Sequence, residues 1–86
     1  MPEVSRFYGI VILFFYRDHA PPHFHVRYNE YRASIEIDGM TLLEGRLPGR
    51  VERMVTEWAR LHGAELRANW ERAATQRPVT KIDPLE

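Results

Sequence analysis

The stretch His23-Phe24-His25-Val26-Arg27-Tyr28-Asn29-Glu30-Tyr31-Arg32-Ala33-Ser34-Ile35-Glu36 decides the fold. Its first six residues alternate: Phe24, Val26 and Tyr28 face one way, and His23, His25 and Arg27 face the other. That is the period of a strand with one buried face. After Asn29-Glu30 the alternation resumes, with Tyr31, Ala33, Ile35 and Ile37 against Arg32, Ser34 and Glu36. A two-residue hairpin at Asn29-Glu30 pairs Tyr28 with Tyr31, Val26 with Ala33 and Phe24 with Ile35 on the apolar face. On the polar face it pairs Arg27 with Arg32, His25 with Ser34 and His23 with Glu36. Both faces match without adjustment, whereas a one-residue slip would turn every apolar side chain outward. Arg27 opposite Arg32 is the one unfavourable pair, relieved only if something anionic sits on that face.

Upstream, Gly9–Arg17 (GIVILFFYR) is apolar at odd and even positions alike. It predicts a strand covered on both faces, either central in a sheet or packed against a partner. Asp18-His19-Ala20-Pro21-Pro22 is a loop, because tandem prolines fix φ and remove two backbone donors. Downstream, Asp38-Gly39 predicts a type I′ turn into a strand over 40–46, with Met40 and Leu42 continuing the apolar face. Leu47-Pro48-Gly49 closes the sheet. Val51, Met54/Val55, Trp58 and Leu61/His62 then recur at helical spacing. His62-Gly63 predicts a break before a second helix over about 64–75, with Leu66, Trp70 and Ala73 inward. The alternative is one long helix that tolerates Gly63 at a cost of about 1 kcal/mol. Pro78 ends the helical part. Val79, Ile82 and Leu85 fit a tail lying extended along the body, and a frayed terminus is the other reading. The expected architecture is α+β in a single domain. An antiparallel meander of about four strands fills roughly 9–46, two C-terminal helices over 48–76 pack on its apolar face, and a tail spans 78–86.

The chain has 86 residues, one domain's worth, with 44% hydrophobic residues, too many for a disordered protein. Twelve basic and twelve acidic residues give a formal net charge of zero, which argues against binding nucleic acid or an anionic membrane through bulk charge. Eleven of the basic residues are Arg, and Lys81 is the one Lys. Guanidinium forks suit carboxylate and phosphate, so local anion recognition stays open. There is no cysteine, which excludes disulfides, zinc–thiolate sites, iron–sulfur clusters and thiol nucleophiles and fits a reducing cytoplasm. The segment 1–6 carries one basic residue and reads as no secretory signal. The apolar run over 8–16 is far short of the ~20 residues of a spanning helix, so no membrane association is expected.

Three of the four histidines, His19, His23 and His25, fall within seven residues and beside Asp18. His23 and His25 are i,i+2 on a strand, so both imidazoles leave one face. Histidine near neutral pH serves as general acid, general base or metal ligand. The register sets Glu36 opposite His23, where a carboxylate would fix the imidazole's tautomer, an arrangement also found around metal sites. Arg27 and Arg32 share that face and suit an anion. Three readings follow. His23 and His25 bind a metal, completed by His19, Asp18 or Glu36; or they act as acid and base on a phosphodiester held by Arg27 and Arg32; or they hydrogen-bond to the proline loop and stabilise a turn or an interface. The metal reading stays open, and no cofactor is assigned. Arg53, Arg60 and Arg67, interleaved with Glu57 and Glu71, read as a solvated, salt-bridged helix face. Trp58 and Trp70 read as core. No Gly-rich phosphate loop, nucleophile elbow or HExxH pattern is present.

Several of these words occur together in one known family. Ser5-Arg6-Phe7-Tyr8-Gly9-Ile10, Asp18-His19 with Pro21-Pro22-His23-Phe24-His25-Val26, Leu43-Glu44-Gly45 with Leu47-Pro48, Trp58 with Leu61-His62, Glu65-Leu66 and Asn69-Trp70 resemble the small bacterial family known as domain of unknown function 4160. The resemblance runs from about Val4 to Leu85. It implies a stand-alone protein often encoded beside a small protein of the domain of unknown function 2442 family. Some such pairs are described as type II toxin–antitoxin systems with this family as the toxin. No catalytic mechanism comes with it, so Asp18, His19, His23 and His25 are candidate catalytic residues, and Arg27, Arg32 and Glu36 candidate binding residues. The expected function is a toxin-like module neutralised by that antitoxin-like partner. The alternatives are a histidine- or metal-dependent enzyme acting on RNA or a nucleotide, and a non-catalytic regulatory binding module. Homo-oligomerisation stays open.

Overall fold

The computed structural model describes residues 2–86. The β3–β4 hairpin, His23–Tyr28 against Tyr31–Glu36, has the register that alternation demands, from His23 opposite Glu36 to Tyr28 opposite Tyr31. Asn29 takes a left-handed φ of 51° at its tip, a conformation that asparagine tolerates better than most side chains. Around this hairpin lies one antiparallel sheet in the order β1-β2-β3-β4-β5, with β1 at Glu3–Phe7, β2 at Ile10–Leu13 and β5 at Leu42–Gly45. Helices α1 (Gly49–Leu61) and α2 (Gly63–Ala74) follow.

The sheet therefore has five strands, not about four. The added strand is Glu3–Phe7, which pairs with Ile10–Leu13 through a two-residue turn at Tyr8-Gly9, both at positive φ (50° and 79°). A tyrosine in the left-handed region is rare, and a register shift between Glu3 and Ser5 breaks the alternation. Those two features hide the strand from pattern reading. The apolar run over 9–17 is also shorter as a strand than expected, ending at Leu13. It does lie between two neighbours: Ile10 and Ile12 are fully buried toward the helices, and Leu13 is buried on the other side.

The Asp38-Gly39 turn is displaced by one residue, with positive φ at Gly39 and Met40 (85° and 55°). Met40 packs against the core, but Leu42 does not continue the apolar face. Leu42 and Leu43 are 39% and 38% exposed on the edge strand.

The helices cover one face of the sheet. Val51, Val55, Trp58 and Leu66 meet Ile10, Ile12, Phe14, Phe24, Val26 and Ile35 in a common core, with the Trp58 ring against Phe7 and Phe24. The two helices are separate, broken at His62 (φ −124°, ψ 29°). The C-terminal tail is docked. The Trp58 indole N–H donates to the Asp83 carbonyl at 2.8 Å, and the Ile82 N–H donates to the Val4 carbonyl at 2.8 Å. Asn69, fully buried, donates to the Thr80 carbonyl and accepts from the Thr80 N–H. A buried amide with its polar atoms paired in this way is costly to remove. No helix among the described residues is long and apolar enough to cross a membrane.

The other sheet face carries two cross-strand rows: Arg6, Val11, Arg27 and Arg32, then Leu13, His25, Ser34 and Glu44. Gly45 closes its edge at φ 75°, where an added Cβ would lie 2.0 Å from the Arg32 carbonyl oxygen. Both the backbone angle and the space require glycine. Gly45→Ala is expected to cost about 2–4 kcal/mol, read as a drop of roughly 10–20 °C in Tm. Asn69→Ala, which strips Thr80 of its partner, should cost about 1–3 kcal/mol in chemical denaturation.

Candidate functional site

The β2–β3 connection folds back over the start of β3. The Arg17 N–H donates to the Ala73 carbonyl at 3.2 Å, tying the loop to the end of α2. Beyond it the Ala20–Pro21 peptide is cis, and the Pro22 carbonyl accepts from the Ile37 N–H. This path carries Asp18 to the two strand histidines. One carboxylate oxygen, Oδ2, lies 2.9 Å from His23 Nε2 and 2.7 Å from His25 Nε2. The other, Oδ1, accepts from the His19 N–H at 3.0 Å and lies 3.1 Å from His19 Nδ1.

The outer nitrogens of the two strand rings are also held. His23 Nδ1 donates to the Pro21 carbonyl at 2.6 Å. His25 Nδ1 lies 3.1 Å from Ser34 Oγ, which can donate to it and leave the Nε2–H for Asp18. The rings are wedged in place: His23 against Trp70 (centroids 5.1 Å apart) and His25 against Phe15 (4.0 Å). His23 is 4% exposed, and the Asp18 and His25 side chains are mostly buried.

Burial pushes the Asp18 carboxyl upward, but the His25 hydrogen bond, the His19 N–H and the electrostatic pull of the neighbouring His23 and His25 rings outweigh it. The group is held below its ordinary range and stays a carboxylate at neutral pH.

The structure thus gathers four of the sequence candidates, Asp18, His19, His23 and His25. His19 touches the group from solvent, its side chain 86% exposed. Glu36 stands across the backbone ladder from His23, yet both nitrogens of His23 are taken by Pro21 and Asp18. The carboxylate that orients the ring comes from the loop and not from the neighbouring strand. Arg27 and Arg32 face each other as the register requires. They line, with His25, Phe15, Ser34 and Glu44, a shallow concavity of about 290 Å³ on the open sheet face. His62 lies apart, paired with Glu65.

The reading in which the histidines hydrogen-bond to the proline loop matches His23, held by the Pro21 carbonyl. Ser34 and Phe15 are not among the sequence candidates. Ser34 was within reach, because the register already placed it opposite His25, whereas Phe15 depends on the path of the loop.

Chemically the group offers two imidazole nitrogens and one carboxylate oxygen, with donor atoms all within 4.8 Å of one another. Asp18, His23 and His25 are therefore the residues that could hold a metal ion. The Ser34–His25–Asp18 chain has the order of a serine–histidine–acid relay with the ring nitrogens exchanged. Ser34, buried within the sheet, is placed to fix the His25 tautomer.

The family model for "Domain of unknown function (DUF4160)" matches residues 9–71. The chain belongs to that family, and the matched span contains the whole His/Asp group. No curated protein and no solved structure matches the chain.

If Asp18 is the orienting carboxylate, Asp18→Ala should destabilise the protein by about 1–3 kcal/mol, while Glu36→Ala should stay within about 0.5 kcal/mol. Urea denaturation midpoints of the two variants make the comparison. Equal losses would return the role to Glu36.

Proposed function

We propose that the protein is the toxin-like member of a bacterial, cytoplasmic two-protein pair. In this reading the Asp18–His23–His25 group is its working centre, and a small protein partner, of the kind the family resemblance implies, neutralises it. The observation that carries the reading is positional. The His/Asp group lies at the border of the one sheet face that the helices leave open, so a partner docking on that face would cover His25 and the Arg27/Arg32 concavity together. Two exposed leucines on the edge strand, Leu42 and Leu43, add apolar area beside that face, which suits a protein partner.

A catalytic form of the same reading, with RNA or a nucleotide as substrate, draws support from the guanidiniums. Arg27 and Arg32 share a concavity with His25, and arginine forks fit phosphate. Imidazole beside carboxylate is also the usual equipment of general acid–base chemistry.

The test is expression in a bacterial host with and without the neighbouring gene's product. The chain alone should arrest growth, and co-expression should restore it and yield a complex on gel filtration. Asp18→Asn and His25→Ala should abolish the arrest while the proteins remain folded. Arrest that survives both substitutions removes the His/Asp group from the activity, and no arrest by the wild-type chain removes the toxin reading. A regulatory binding module would instead lose partner affinity on the same substitutions, with no growth effect to lose.

A further inference from the structure

His23 presents an imbalance of donors and acceptors. Its Nδ1 lies 2.6 Å from the Pro21 carbonyl oxygen, and its Nε2 lies 2.9 Å from Asp18 Oδ2. A carbonyl and a carboxylate are both acceptors only, and a neutral imidazole has one N–H. With that proton on Nδ1, the Nε2 lone pair and a carboxylate oxygen face each other in a site where water scarcely reaches. His25 brings a second Nε2 to the same oxygen at 2.7 Å. Without a metal its proton bonds to Asp18. A metal can take that proton's place once Ser34 Oγ, which accepts as well as it donates, holds the proton on Nδ1. Two imidazole nitrogens and a carboxylate oxygen thus converge on one point, a donor set that suits a metal cation.

We infer that Asp18, His23 and His25 form a binding site for a first-row divalent transition-metal ion, with His23 Nε2, His25 Nε2 and the Asp18 carboxylate as its protein ligands. Donor type selects the class. Two imidazoles and one carboxylate suit zinc, iron, cobalt or nickel, whereas calcium and magnesium prefer all-oxygen shells. The surroundings are those of a metal site as well. The outer nitrogen of His23 is fixed by a backbone carbonyl and that of His25 by a hydroxyl, the usual means of orienting ligating histidines. Metal–ligand bonds of ~2.1 Å put neighbouring donors ~3–3.4 Å apart, so seating the ion spreads the 2.7 and 2.9 Å contacts to Asp18 by a few tenths of an ångström, while the two Nε2 atoms, within 4.8 Å of each other, settle to the same spacing. The histidines stand two apart on β3, and the Asp18 loop is anchored to α2 through Arg17 and Ala73, so the ligands are held before the ion arrives.

Three protein ligands leave coordination positions open. The concavity that meets the group at His25 is lined by Arg27 and Arg32, and guanidiniums favour an oxyanion such as phosphate as the further ligand. The inference does not depend on the toxin reading, because metal stoichiometry is measured without a growth assay.

The experiment uses the full chain, expressed without a histidine tag and stripped with a chelator, then titrated with Co²⁺ at neutral pH. Absorption in the d–d region is followed, and Zn²⁺ is added as competitor. One Co²⁺ per chain, displaced by one Zn²⁺, is expected. His25→Gln and Asp18→Asn should each weaken binding by at least about tenfold, and Ser34→Ala, which frees the outer nitrogen of His25, by about ten- to a hundredfold. His62→Ala should bind as wild type. Circular dichroism checks that each variant is folded, and the wild-type titration decides the matter even if a variant is not. Absence of saturable Co²⁺ binding at one equivalent overturns the assignment. So does binding that survives both His25→Gln and Asp18→Asn, or that is lost in His62→Ala.

Discussion

The register of the β3–β4 hairpin is the constraint on which the rest depends. Strand side chains alternate, so a single pairing decides at once which residues enter the core and which line the open face. With Phe24 opposite Ile35 and Val26 opposite Ala33, the apolar set meets α1 and α2. The same pairing puts His25 and Arg27 on the side the helices do not cover, with His23 at its border against Trp70 of α2. A slip of β3 by one residue would bury two imidazoles and a guanidinium and expose Phe24 and Val26, at a cost far beyond the stability of a small domain. The candidate site is in this sense a by-product of the core: packing fixes two histidines side by side, and only the carboxylate has to be brought to them.

That last step belongs to the loop. Asp18 meets His23 and His25 because the chain after β2 is pinned to α2 at Ala73 and then turned back by Pro21 and Pro22. The helices therefore do more than cover the sheet. α2 supplies the Ala73 carbonyl that anchors the loop and the Trp70 ring that backs His23. Asn69 on the same helix holds the tail at Thr80, and the Trp58 indole holds it at Asp83. Loop, site and tail are all fixed from the helical layer.

What could be read in the sequence follows from how local each cause is. The hairpin was legible pair by pair, because alternation with period two is a property of the residues themselves. The helical segments were legible from spacing, but whether they form one helix or two stayed open, and the structure breaks them at His62. Strand Glu3–Phe7 was not, since a left-handed Tyr8 and a shifted register give no pattern to follow. The turn after β4 moved by one residue because Met40, not Asp38, takes the second left-handed position. The spacing of Val79, Ile82 and Leu85 left a docked and a frayed tail equally open; the side-chain-to-backbone hydrogen bonds from Trp58 and Asn69 that dock it follow from no periodicity. At the site, both strand histidines and the Arg27/Arg32 pair followed from the register. For the orienting carboxylate, strand pairing pointed to Glu36 while proximity in sequence pointed to Asp18, and the path of the proline loop, which pairing rules do not describe, supplies Asp18.

The central claim is that Asp18 and the two strand histidines form one fixed group, each ring nitrogen with a defined partner. A long-range ¹H–¹⁵N spectrum of the histidine side chains in uniformly labelled, chelator-treated protein tests it most directly. The account predicts His23 protonated on Nδ1, held by the Pro21 carbonyl, and His25 protonated on Nε2, donating to Asp18, both distinct from the solvent-exposed ring of His19. Averaged, solvent-like tautomer signals for His23 and His25, indistinguishable from His19, would contradict it.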